Sequence, residues 1–214
     1  MVAYAVGRGK LSEPPFQAPG GVLVPGEQDM RLILLGTPGA GKGEQATRLS
    51  RNFRIPHIST GDLLRREMEE GTEVGRRISE FVDQGELVSD DITQAILENR
   101  LREADCISGF ILDGFPRNLN QADFLRAALA RMQAPVDVVL NIEVPDSTVI
   151  DRLAMRNRRD DTPETISHRL KVYRKVTAPL VDYYDRAGIL KRIDGDGSPE
   201  EVTQRILTNL ARTT

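Results

Sequence analysis

The stretch Gly36-Thr37-Pro38-Gly39-Ala40-Gly41-Lys42-Gly43-Glu44 follows the apolar run Leu32-Ile33-Leu34-Leu35 and leads into a helix-like pattern. A strand, a glycine-rich turn and a helix start in that order aim successive backbone N–H groups, and the positive end of a helix dipole, at one anion. Lys42 adds a mobile ammonium. The spacing of Gly36, Gly41 and Lys42 satisfies G-x-x-x-x-G-K, the pattern of a phosphate-binding loop. Gly43 stands where such loops usually place the Ser or Thr whose hydroxyl binds magnesium. Any Mg²⁺ is therefore expected to be held by phosphate oxygens, water and a carboxylate from elsewhere in the chain.

Outward from this loop, the pattern from Met30 on alternates apolar runs with amphipathic stretches, the signature of βαβ units building a parallel sheet. A strand over Arg31 to Leu35 leads through the loop to a helix over Gly43 to Phe53, and Ile55-Pro56-His57-Ile58-Ser59 gives a short extended piece. Residues 60–103 read as almost all helical. Thr60-Gly61-Asp62 opens one helix and Gly71 ends it, Thr72 starts the next and Gly85 ends that, and Ser89 begins another. This run is expected to form a helical insert beside the sheet. Phe110-Ile111-Leu112 ending in Asp113, Val136 to Ile142, and Ile189 to Ile193 supply the remaining buried strands. Thr162-Pro163-Glu164 starts a helix running to about Asp185 with a kink at Pro179. Ser198-Pro199-Glu200-Glu201 is a capping box, after which Val202, Ile206 and Leu210 mark one face of the last helix.

Composition bounds what this framework can do. The 214 residues are 39% hydrophobic and 29% charged, ordinary for one soluble globular domain with a small inserted piece. A formal charge of -3 gives no global attraction to nucleic acid or to an acidic membrane, so anion binding must come from local clusters. The single cysteine, Cys106, excludes an internal disulfide. With only two well-separated histidines, His57 and His168, there is no ligand spacing for zinc, and both read as structural or surface residues. No apolar run approaches the ~18 residues of a membrane span. Residues 1–29 carry five glycines and four prolines without helical or strand periodicity and read as a disordered extension. Its acidic Glu13, Glu27 and Asp29 disagree with a transit peptide, and Met30, directly before the first strand, is a candidate start.

Four groups carry chemistry. Asp113 ends a buried strand and precedes Gly114-Phe115-Pro116-Arg117; in an open parallel sheet this carboxylate would face the same crevice as the loop and touch Mg²⁺ directly or through water. Ser59-Thr60-Gly61-Asp62-Leu63-Leu64-Arg65 is the second group, and Arg117 with Gln121 four residues later is the third. Arginine forks match phosphates, whereas Thr hydroxyls and Gln amides match base edges. The fourth is the cluster Arg152, Arg156, Arg158, Arg159 and Arg169, broken by Asp160 and Asp161. Phosphoryl transfer between nucleotides asks a protein mainly for in-line positioning and neutralisation of charge. Several arginines, one lysine, one metal and one carboxylate are the parts required.

The motifs Gly36-x-Pro38-Gly39-x-Gly41-Lys42-Gly43, Ser59-Thr60-Gly61-Asp62-Leu63-Leu64-Arg65, Gly109-Phe110-x-Leu112-Asp113-Gly114-Phe115-Pro116-Arg117 and Arg158-x-Asp160-Asp161 together resemble the adenylate kinase family. The resemblance covers the chain from Met30 onward. It implies a three-layer α/β P-loop NTPase fold with a central parallel sheet, an NMP-binding insert over 59–88 and a very short lid over 156–161, within one domain spanning 30–214. It implies that Gly39, Ala40, Gly41, Lys42, Gly43 and Glu44 hold the ATP phosphates, that Arg152 packs on the ATP adenine, that Arg156 meets an ATP phosphate and that Gly197 offers a backbone contact to the base. AMP would lie against Thr60, Arg65, the backbone of Glu86, Leu87 and Val88, the run Gly114, Phe115, Pro116 and Arg117, and Gln121. Arg158 and Arg169 would bridge both substrates. Lys42, Arg117, Arg156, Arg158, Arg169 and Asp113 are the implied catalytic set, with Mg²⁺ as the metal and no zinc.

Two departures stand out. Only Asn157 separates Arg156 from Arg158, so the lid is a stub as in the family's short forms, and no zinc-binding lid exists. Glu44 replaces the Thr that usually follows Lys-Gly, and a carboxylate there repels phosphates unless it turns outward or reaches the metal. The expected activity is Mg·ATP + AMP giving two ADP, reversibly, by a cytoplasmic monomer with ATP, AMP and ADP as its partners. The nearest alternative is a UMP/CMP kinase, against which Thr60 argues because the pyrimidine enzymes tend to have Ala there. A paralogue that binds nucleotide without turnover is a second alternative, kept open by Glu44. No Asn-Lys-x-Asp motif supports a GTPase.

Overall fold

The computed structural model describes residues 30–155 and 162–211. The expectations for 1–29 and for the lid stub at 156–161, including Arg156, Arg158, Asp160 and Asp161, lie outside the described residues. Among the described residues, strands β1 (Met30–Leu35), β2 (His57–Ser59), β3 (Gly109–Asp113), β4 (Val138–Glu143) and β5 (Leu190–Asp194) form one sheet, all parallel, in the order β2-β3-β1-β4-β5. Parallel strands buried on both faces read as unbroken apolar runs, which is why Leu32-Ile33-Leu34-Leu35 shows no alternation.

The faces are nevertheless divided residue by residue. Leu32 and Leu34 point to one layer, where they pack with Ala46 and Leu49 of α1 (Lys42–Phe53) and with Ile206 and Leu210 of α9 (Pro199–Ala211). Ile33 and Leu35 point the other way, onto Leu97 of α4 (Asp90–Leu101), Leu125 of α5 (Leu119–Arg131) and Leu180 of α8 (Pro179–Arg186). The result is the three-layer α/β arrangement expected of a P-loop fold.

The short extended piece before Ser59 is a fifth strand at the sheet edge. Pro56 cannot donate to a ladder, yet its carbonyl accepts from Ile111 N at 2.9 Å, so proline sits at the start of an edge strand where one donor is dispensable. The kink expected at Pro179 is an insertion in the helical ladder just before it. Between α7 (Pro163–Val172) and α8, residues Tyr173–Thr177 form a π turn in which Ala178 N donates to Tyr173 O at 2.8 Å, five residues back. Proline has no N–H and its ring crowds the carbonyl four residues earlier, so the ladder widens rather than continuing as α-helix. The capping box is present: Ser198 N donates to Glu201 Oε2 at 2.8 Å, and Glu201 N donates to Ser198 Oγ at 3.3 Å.

Between β2 and β3 the chain builds α2 (Thr60–Glu69), α3 (Glu73–Gln84) and α4. Leu64, Ile78, Val88 and Ile92 form a small apolar core there, flanked by Met68, Phe81 and Val82. Helices α2 and α3 meet closely at Gly75, where a Cβ would stand 2.1 Å from Glu67 O. Among the described residues, no helix is long and apolar enough to cross a membrane.

Candidate active site

Ligands of open parallel sheets sit at the carboxyl ends of the strands, and the register Leu34↔Asp113 brings the end of β3 beside the loop that follows β1. That loop needs glycine for a steric reason: at Gly36, with φ 140°, a Cβ would fall 2.6 Å from Ile142 O. Gly41 ends the loop in the left-handed region and precedes α1, with no side chain capping the start of that helix, whose first N–H groups have no partner within it. Lys42 Nζ donates to Gly36 O at 2.8 Å and Thr37 O at 2.9 Å, so the ammonium arches over its own loop.

Asp113 is largely buried at the end of β3, with its Oδ2 3.6 Å from His57 Nε2. Burial alone would raise the carboxyl, but His57 and the positive charges of Lys42 and Arg117 outweigh it and hold Asp113 below the usual carboxylate range. Its Oδ2 also lies 3.4 Å from where a Cβ on Gly43 would stand. A side chain at 43 would therefore touch this ionised carboxylate, and glycine there leaves that side of Asp113 uncovered. Among the described residues, no group of three or more His, Cys, Asp and Glu side chains could hold a metal by itself.

Across the crevice, Ser59 Oγ caps α2 by accepting from Asp62 N at 3.2 Å. The buried Thr60 hydroxyl donates to Asp113 O at 3.3 Å. Arg65 pairs with Asp62, one turn earlier on α2. Arg117 is tethered at both ends, its Nε donating to Gly114 O at 2.8 Å and its carbonyl accepting from Thr177 Oγ1 at 2.8 Å. Burial and the neighbouring charges of Arg169 and Arg65 push the Arg117 guanidinium down, with Asp113 opposing. Such a clustering of cations has the chemistry that matches phosphate groups. Gln121 is 1% exposed. Its Oε1 accepts from Arg117 N at 2.7 Å and its Nε2 donates to Asp90 Oδ1 at 2.7 Å, leaving one N–H and one lone pair for a base edge.

One cavity of about 670 Å³ joins the two sides. From the expected set it is lined by Gly39, Gly41, Lys42, Gly43, Glu44, Arg152 and Asp113 on the loop side, and by Thr60, Arg65, Glu86, Leu87, Val88, Gly114, Pro116, Arg117, Gln121 and Arg169 on the other. Ala40 and Phe115 point into the core instead, 2% and 0% exposed, and bring only backbone to the site. Gly197 stands behind Arg152, whose Nη2 donates to Gly195 O and Gly197 O at 3.3 Å each. Sequence reasoning passed over Asp90, which holds both Gln121 and Asn118 through one oxygen, and Thr177, which fixes the Arg117 carbonyl. His57, expected to be structural or surface, has its imidazole beside Asp113. A signal existed for Thr177, since the residues just before Pro179 must depart from the regular ladder.

A five-stranded parallel sheet with a G-x-x-x-x-G-K loop at its carboxyl edge, facing an arginine-rich helical insert, defines a P-loop phosphotransferase. The family model for adenylate kinase matches residues 34–189. The chain is similar to the adenylate kinase of Thermobifida fusca (strain YX), 51% identical over 185 residues, which cover 85% of this chain and 98% of that protein. It is also similar to the adenylate kinases of Xanthomonas oryzae pv. oryzae (strain MAFF 311018), 49% identical over 187 residues, 86% of this chain and 100% of that one, and of Xylella fastidiosa (strain 9a5c), 48% identical over 185 residues, 85% and 99%. The chain belongs to the adenylate kinase family and is an enzyme of phosphoryl transfer between adenine nucleotides.

Proposed function

We propose that ATP binds with its phosphates on the loop Gly39 to Glu44 and that AMP binds against the insert formed by residues 59–88. The observation that carries this reading is the single cavity that has Lys42 and Asp113 on one wall and Thr60, Arg65, Arg117, Gln121 and Arg169 on the other. Backbone N–H groups of the loop and the start of α1 receive the donor phosphates. Lys42 follows the transferring group, exchanging loop carbonyls for phosphate oxygens. Arg117 and Arg169 neutralise charge between the two nucleotides, which is where a dissociative phosphoryl transfer spreads it. Arg156 and Arg158 complete this set, and Arg152, steadied by the carbonyls of Gly195 and Gly197, carries the donor base.

Magnesium enters as part of the donor substrate, Mg·ATP, and Asp113 is the carboxylate suited to meet its water shell, being held ionised beside Gly43 of the loop. Thr60 and Gln121 select adenine on the acceptor side. Among the described residues, the exposed large apolar side chains Val74, Ile107, Leu119 and Met132 are scattered, Leu119 at the start of α5 and Met132 just past its end, which supports a monomer. The test is ADP formation by the purified chain from Mg·ATP with AMP, UMP or CMP as acceptor. AMP is expected to be the preferred acceptor by a wide margin, and a preference for UMP or CMP overturns the acceptor assignment.

A further inference from the structure

Glu44 is the residue of the phosphate cradle that phosphate chemistry does not ask for. It sits in the first turn of α1, directly after Lys42 and Gly43, and lines the cavity at its loop end. Its side chain is 53% exposed. Arg48, one turn further along α1, donates from Nε to Glu44 Oε1 at 2.6 Å. The same guanidinium donates from Nη2 to Glu200 Oε1 at 2.7 Å, at the start of α9. Arg48 is only 30% exposed between these two carboxylates. A guanidinium can serve both because its N–H groups diverge in a rigid fork, whereas an ammonium is a single point of charge.

We propose that Arg48 is a positioning residue for the donor nucleotide: it turns the Glu44 carboxylate away from the phosphate cradle, so that without it this charge swings back and weakens ATP binding. The proposal rests on the reading that the ATP phosphates lie on the Gly39 to Glu44 loop. Glu44 supplies a negative charge at the rim of a site for anions, and Arg48 cancels it locally. Glu200 meets Arg48 from the far side, so the guanidinium has a partner on each of two helices. The packing of α1 on α9 has separate support, because Gln45 Nε2 donates to Pro199 O at 2.9 Å and Thr203 Oγ1 donates to Gln45 Oε1 at 2.7 Å. Removing Arg48 therefore alters the charge at Glu44 while leaving that packing in place.

Dissociation constants for ATP and AMP, each alone, together with KM and kcat, should be measured on the full chain for the wild type, Arg48→Met, Arg48→Lys and the double variant Arg48→Met/Glu44→Thr. Arg48→Met is expected to weaken ATP binding about five- to tenfold with AMP affinity within about twofold. Arg48→Lys should fall between. Adding Glu44→Thr to Arg48→Met should restore ATP affinity to at least the wild-type level, since the charge that needed holding is gone. Unchanged ATP affinity in Arg48→Met, an equal loss for AMP, or a loss that persists in the double variant overturns the proposal. Should Arg48→Met fail to fold, Glu200→Gln, on the surface of α9, gives the same reading: a two- to threefold loss for ATP alone supports the proposal and none overturns it. Lys42→Ala separates the two levels of inference. If Lys42→Ala loses activity and Arg48→Met does not weaken ATP binding, the role of Arg48 alone is wrong; if Lys42→Ala has no effect, the placement of ATP on the loop is wrong.

Discussion

The loop and the helical insert face each other across one cavity, yet they are held by different means. The loop is fixed by the main chain: Gly36 lies against the Ile142 carbonyl, and Gly39 lies so close to Leu153 that a Cβ there would be 2.8 Å from its Cγ. Buried Ala46 and Leu49 then seat α1 on the sheet. The insert has a small core of four buried side chains with Met68, Phe81, Val82 and Ile96 packed against it, and its face toward the cavity carries polar side-chain contacts, including Glu86 with His168 at 2.7 Å and Arg65 with Asp62, with Gln121 and Asp90 paired beside it. A backbone cradle grips any phosphate and tolerates changes around it. A side-chain array distinguishes one acceptor from another, and single substitutions there should move affinity for one nucleotide only.

The largest effect expected is common to both sides. Lys42→Ala and Arg117→Ala should each lower turnover by at least about two decades, because each removes charge stabilisation of the transferring group; near-normal turnover removes that residue from the mechanism. The next separates the sides: Asp90→Ala, which frees both Gln121 and Asn118, should raise KM for AMP by about tenfold with KM for ATP little changed. Equal changes in both would mean that the insert does not discriminate. Smaller still is Glu44→Thr, expected to tighten ATP binding by less than about tenfold, since Arg48 already offsets most of the charge. Weaker ATP binding in that variant, seen only when Mg²⁺ is present, would make Glu44 part of the metal's surroundings. The smallest is Ile78→Val, costing about 1 kcal/mol in the insert core. Hydrogen exchange should speed up in α2 and α3 and not in the sheet, and uniform acceleration would show that the insert has no stability of its own.

Much of the fold is local and was readable as such. The loop spacing, the Thr72, Thr162 and Ser198 caps and the closing Gly85 each depend on a few adjacent residues, and each functions in the structure as its chemistry suggests. The residues that were not readable act over long sequence distances. Asp90 meets Gln121 from 31 residues away, Thr177 reaches Arg117 from 60, and Arg48 reaches Glu200 from 152. No periodicity announces such partners, and His57 faces Asp113 only because β2 and β3 are neighbours in register. The direction of Glu44 is an intermediate case. The sequence leads one to expect an outward turn, and the i,i+4 spacing to Arg48 lies in plain view there, but the contact of Arg48 with Glu200 exists only in three dimensions.

The π turn at Tyr173–Thr177 sets the phase of everything that follows it. An extra residue in one turn rotates the rest of a helix by about 100° relative to an uninterrupted α-helix, and it is in the rotated phase that Leu180 and Tyr184 of α8 meet the sheet, 0% and 5% exposed. The count of residues between Arg169 and Leu180 is therefore as constrained as their identities. Deleting one residue from 173–176 would let the ladder close as regular α-helix, swing both core side chains off the sheet and carry Thr177 away from the Arg117 carbonyl. A frame of this kind accepts substitutions on its outer face but no change in length, so any natural variation along this segment should consist of exchanges and never of insertions or deletions.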